Sequence, residues 1–121
     1  MPARLRPAPA TEVRDALAAS PRAGEQTRLL VKHFLAVLAE RAPGASVEVR
    51  VPPYAAVQAV AGVRHTRGTP PAVVELDADT WIALATGALR WAEAESAGLV
   101  TASGERADLS PLLPLLDEGA P

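Results

Sequence analysis

His33 and His65 are the only histidines in the chain, and imidazole is the side chain best suited to move a proton or hold a transition metal near neutral pH. Neither has a partner at ligand spacing: the end of a predicted helix and two predicted strands separate them, and no carboxylate stands at a metal-binding interval from either. His33 reads as a helix-surface or boundary residue and His65 as part of a solvated loop. Asp77 and Asp79 are candidates for a paired acid and base. They fall where a helix begins, however, and carboxylates there accept backbone N–H bonds and complement the helix dipole, so capping is the better reading. Glu93, Glu95, Glu105 and Asp108 lack an accompanying nucleophile pattern and form a solvated acidic surface.

The other reactive groups are equally bare of context. With 0 cysteines, the chain has no disulfide, thiolate metal site or cysteine nucleophile. No serine sits in a G-x-S-x-G elbow, and a triad would have to be built around His33 or His65. Gly98, Gly104 and the stretch from Gly62 to Gly68 match no phosphate-binding motif and read as turn glycines. The densest cationic spot, Arg64 to Gly68 (Arg-His-Thr-Arg-Gly), could dock an anionic head group through Arg64 and Arg67, although a plain solvated connection is the simpler reading. Trp81 and Trp91 are large packing elements first and ligand contacts second. The expectation is therefore a non-catalytic protein with no metal and no cofactor.

These residues have to be positioned by a single domain of 121 residues, long enough to bury one core. Apolar residues make up 49% of the chain and charged residues 21%, close to globular averages. The net charge of −2, with its charges dispersed, offers no basic surface for nucleic acid. No apolar run approaches the ~20 residues of a membrane span. The prolines at positions 2, 7 and 9 break any secretory-signal pattern. A cytoplasmic protein is expected, without stable membrane insertion.

Hydrophobic periodicity divides the chain into elements. Pro2, Pro7 and Pro9 predict a flexible tail over residues 1–10, and residues 118–121 form another, leaving 11–117 as the domain. Thr11 can cap a short helix through Ser20, stopped by Pro21. Leu30, Phe34, Leu35, Val37 and Leu38 recur at helical spacing between Glu25 and Ala42. Ser46 to Val51 and Tyr54 to Ala61 then alternate as strands, interrupted by Pro52 and Pro53. After a breaker-rich connection, Ala72 to Leu76 is a third strand. Asp77 or Asp79 caps a helix ending at Gly87, and Trp91 to Ala97 forms another ending at Gly98. Leu99 to Ser103 is a last strand. Ser110-Pro111 opens a terminal helix carrying Leu112, Leu113, Leu115 and Leu116 that Pro114 keeps short. This order predicts an α+β fold with helices on one face of a sheet.

The stretch from Val74 to Leu116 resembles the signature end of sterol-carrier-like proteins, in particular a short bacterial branch. It has an acidic cap before a helix ending in Thr86-Gly87, a second helix ending at Gly98, and a strand leading through Ser103-Gly104 to a final helix. The segment from Val47 to Glu75 is similar to the same branch, so the resemblance runs from Glu25 to Leu116. It implies a mainly antiparallel, five-stranded sheet with helices covering one face and an apolar cavity between them, where the periodicity itself locates four strands.

The resemblance also implies a carrier of an apolar ligand: a fatty acyl, acyl-CoA or sterol-like lipid. Carried over by segment, the cavity lining would be Val57, Leu76, Trp81, Leu84, Leu89, Trp91, Leu112, Leu115 and Leu116. Each buried methylene is worth about 0.8 kcal/mol, so an acyl chain could bind at micromolar strength with weak specificity. The alternative is a protein interaction module with a collapsed cavity, whose apolar terminal segment docks on a partner or on a second copy.

Overall fold

The computed structural model describes residues 4–62, 72–104 and 107–116. Helix α1 runs over Ala10–Ala18. It starts one residue before Thr11, which is not its cap: Val13 N–H donates to the Pro9 carbonyl, and Pro9, with its φ fixed at −58°, suits the entry to a helix. Helix α2 spans Gly24–Arg41, and the backbone N–H of Ala23 donates to Gln26 Oε1 at its start. Leu30, Val31, Phe34, Leu35, Ala36 and Leu38 are buried, so α2 carries the broad apolar stripe its spacing predicts. Leu5 and Ala8, in the segment ahead of α1, also pack against the core.

Four strands form one sheet in the order β2-β1-β3-β4, with β1 at Val47–Val51, β2 at Ala55–Ala59, β3 at Ala72–Leu76 and β4 at Val100–Ser103. Its inner face carries Val47, Val49, Val51, Ala59, Ala72, Val74 and Leu76, all buried. The outer face carries Glu48, Arg50, Gln58 and Glu75, and Arg50 pairs with Glu48 there at 2.6 Å. This apolar-in, polar-out alternation follows from the period of a strand. Helix α3, Ala78–Thr86, packs against α2, and Trp81 Nε1 donates to the Val31 carbonyl at 3.3 Å. The short helix α4 covers Trp91–Ser96.

The α+β class holds, but the expected sheet is corrected: among the described residues it has four strands rather than five, and it is mixed. β1 pairs antiparallel with β2 and parallel with β3. The tight turn at Pro52-Pro53 reverses the chain into β2, whereas β3 returns along the other side of β1 in β1's own direction. β3 and β4 are antiparallel.

Two further expectations need revision. The second strand ends at Ala59, because Val60 has φ +68°, a rare conformation for a β-branched residue. Its amide donates to the Ala42 carbonyl, and its own carbonyl accepts from both the amide and the hydroxyl of Ser46. Gly44 fits against this corner, where any Cβ would overlap the Val60 carbonyl. The terminal helix is only a single 3-10 turn at Ser110–Leu112. Pro114 has no N–H to continue it and disfavours the helical conformation at Leu113, so the chain leaves extended, with the amides of Leu115 and Leu116 donating to the Ala85 carbonyl.

Candidate functional site

The start of α3 bears out capping: Thr80 N–H donates to Asp77 Oδ1 at 2.8 Å. Asp79 is exposed in the first turn. At the other end Gly87 adopts φ +86°, the left-handed conformation that lets the chain turn sharply. That turn directs Leu89 and Arg90 toward α4, whose first residue is Trp91. The backbone N–H of Arg90 donates to Glu93 Oε1, fixing the entry to α4.

The nine residues expected to line one cavity are dispersed. Leu76, Trp81, Leu84, Trp91 and Leu115 are buried, Val57, Leu89 and Leu112 are half-buried, and Leu116 is 37% exposed. Leu84, Leu89 and Trp91 come together in one open cleft of about 440 Å³, which Leu113 and Pro114 of the terminal segment also line. Leu115 and Leu116 line a different cleft of about 400 Å³ with Val13, His33 and Val37. Val57 lines a third, of about 660 Å³, with Leu5 and Ala36. Leu76 and Trp81 pack into the core, and Leu112 lies against it. Arg64, Arg67 and His65 lie outside the described residues.

In the first cleft, Leu84, Leu89, Leu113 and Pro114 give apolar walls, and exposed Arg90 and Ser110 stand at the rim. Trp91 is 5% exposed, and its buried Nε1 has no hydrogen-bond partner among the described residues. A neutral donor left unpaired inside a protein costs about 1–3 kcal/mol, and a buried indole N–H usually finds an acceptor. The cleft therefore combines apolar surface with a cation, beside a tryptophan whose indole donor is buried and unpaired among the described residues. The sequence marked Trp91 as bulk; nothing in its spacing distinguishes this donor from that of Trp81, and Leu113 and Pro114 enter the wall only because the terminal segment is extended.

His33 is half-buried on α2. Its Nδ1 accepts the Ala8 N–H at 2.9 Å, and its ring stands edge-on to Phe34 at 4.9 Å. Burial lowers its pKa from 6.5, against a smaller opposing pull from Glu40. A neutral ring suits this contact, because a protonated Nδ1 could not accept. A larger groove of about 820 Å³ lies where the α1–α2 turn, the β1–β2 turn and the start of α3 meet, lined by Arg22, Thr27, Tyr54, Asp77 and Asp79. These residues are remote in sequence, so only the fold groups them. Among the described residues, no cluster of three or more His, Asp or Glu side chains could hold a metal ion, and no helix is long and apolar enough to cross a membrane.

The segment that builds the first cleft lies within the part of the chain matched by a known family. The family described as bacterial SCP ortholog matches residues 23–115. The chain belongs to this bacterial sterol-carrier-like family. No protein of curated function matches it. Within the sterol-carrier-like span fall the whole sheet, α2, α3, α4 and the turn at Ser110–Leu112, whereas α1 and the segment packed beneath His33 precede it.

Proposed function

We propose that this sterol-carrier-like protein is a non-catalytic carrier of an apolar ligand, held in the cleft between α3, α4 and the segment 110–114. The observation that carries this reading is the convergence of Leu84, Leu89 and Trp91 in one apolar-walled cleft within the family-matched span. At about 440 Å³ the cleft lies within the usual range for small-molecule sites, roughly 300–1,000 Å³. Binding would draw on burial of apolar surface, with no covalent step, metal or cofactor. Ligands in scope are fatty acyl and sterol-like molecules.

A second reading is favoured by the tight packing of the other expected lining residues. Trp81 is fully buried and Leu115 nearly so, as they would be in a module whose cavity has collapsed and whose surface serves a protein partner or a second copy. Exposed Leu99 and Leu116 would then belong to the contact surface. Native mass spectrometry of protein purified without detergent, with extraction of any bound molecule, separates the two. A stoichiometric apolar adduct supports the carrier. A clean apo mass, unchanged after incubation with fatty acids and sterols and accompanied by a concentration-dependent dimer, supports the interaction module.

A further inference from the structure

Strand β2 forms an outer edge of the sheet, and its backbone is only half spent. Ala72 N–H donates to the Ser46 carbonyl. In the parallel pairing of β1 with β3, that bond turns the backbone groups of Glu48 and Arg50 toward β3 and leaves those of Val47, Val49 and Val51 for β2. The residues opposite them, Ala59, Val57 and Ala55, therefore bond β1, and alternation points the N–H and C=O groups of Ala56 and Gln58 away from the sheet. Among the described residues neither has a backbone partner on that side. The edge also lacks the features that usually blunt one: it reads Ala-Ala-Val-Gln-Ala, with no charge and no proline. Beside it lies a groove of about 660 Å³ lined by Leu5, Ala36, Ala39 and Val57, with Arg4 and Glu40 as the charged residues of its wall. Val57 sits on the core-facing side opposite fully buried Val49, yet it is itself half-buried.

We propose that β2 is a dimerisation edge, onto which β2 of a second copy of this chain adds antiparallel to make one sheet continuous across both subunits. A twofold centred on Val57 sets Ala56 of each copy against Gln58 of the other, so that every outward N–H meets an outward C=O. Ala55 then faces Ala59, Val57 faces its own counterpart over the groove, and no like charges are opposed. An interface made by a twofold has to complement itself; an uncharged strand beside one cation and one anion meets that condition. Pairing β2 with β4 of the next copy would instead run head to tail without closing. The proposal does not depend on the carrier reading, because α4, which lines the ligand cleft, packs against β4 at the opposite side of the sheet.

Sedimentation velocity of the full chain over a concentration series is expected to show monomer passing to dimer and nothing larger. Amide exchange read residue by residue is expected to find Ala56 and Gln58 protected in the dimer and fast in the monomer. Ala56→Pro deletes an N–H that bonds nothing within the chain; it is expected to weaken the dimer at least about tenfold, the worth of the donors lost from the two copies. Its unfolding midpoint should stay near that of the wild type, and it should retain any apolar adduct the wild type carries. Ala56→Glu combined with Gln58→Lys alters two exposed side chains and sets opposite charges across the twofold, so this variant is expected to dimerise more tightly and to loosen with salt. A wild-type chain that stays monomeric throughout overturns the proposal. So does a dimer whose Ala56 and Gln58 amides exchange as fast as in the monomer, since the contact is then elsewhere. Protection of those amides in the monomer overturns it too, because the edge is then covered from within the chain, and assemblies that grow beyond the dimer overturn it in favour of head-to-tail pairing.

Discussion

His33 links the segment ahead of α1 to α2 through a contact that only a neutral Nδ1 can accept. Its pKa lies below 6.5 in the folded chain, chiefly because burial disfavours the charged ring. Protonation is thus harder in the folded state than in the unfolded one, and stability rises with pH wherever the unfolded chain binds more protons. The contribution of His33 is complete above pH 6.5 and falls as the pH drops from there through the lowered folded-state value. Urea unfolding at pH 7.5 and 5 should show a larger loss in the wild type than in His33→Gln, whose amide oxygen can accept at either pH. Equal losses would remove His33 from the pH response. Gly44 is the other residue on which local geometry turns. Gly44→Ala drives a methyl group into the Val60 carbonyl, and an overpacked backbone contact of this kind should cost at least about 2 kcal/mol in the same unfolding measurement.

At the scale of elements, the periodicity identifies α2, α3, α4 and all four observed strands, because each is marked by apolar spacing and by a residue that stops it. Asp77 and Gly87 bracket α3 as their chemistry requires, and Asp77→Ala should cost about 1 kcal/mol by removing the acceptor for Thr80 N–H, read as a lowered unfolding midpoint. Less legible were features set by partners remote in sequence. Nothing between Tyr54 and Ala61 announces that Val60 will leave the strand, since its conformation is held by Ala42 and Ser46. The leucines after Ser110 are spaced for a helix, but Pro114 ends it after the single turn at Leu112, and the Ala85 carbonyl takes up the amides of Leu115 and Leu116. The site shares this limit: the spacing of Leu84, Leu89 and Trp91 marks them as apolar, while their meeting in one cleft depends on the turn at Gly87 and on the path of the terminal segment. Amide exchange should reflect the same division, with Leu115 and Leu116, held only through one carbonyl, exchanging faster than the amides inside α2.

For the molecule as a whole, the helices cover the sheet's inner face, and α2 is the element on which α1, α3 and the sheet converge. Phe34, fully buried in α2, should therefore be among the costliest residues to truncate: Phe34→Ala is expected to lose about 3–5 kcal/mol in equilibrium unfolding. The parallel pairing of β1 with β3, which sets Val47 beside Ala72, also orders events during synthesis. The β1–β2 hairpin is complete by Ala59, whereas the strand that covers the other edge of β1 does not begin until Ala72. At roughly 5–20 residues per second, the ribosome leaves that edge without its partner for about a second. A nascent chain halted in this interval carries an open, valine-rich strand edge, a template for pairing with another chain until β3 covers it.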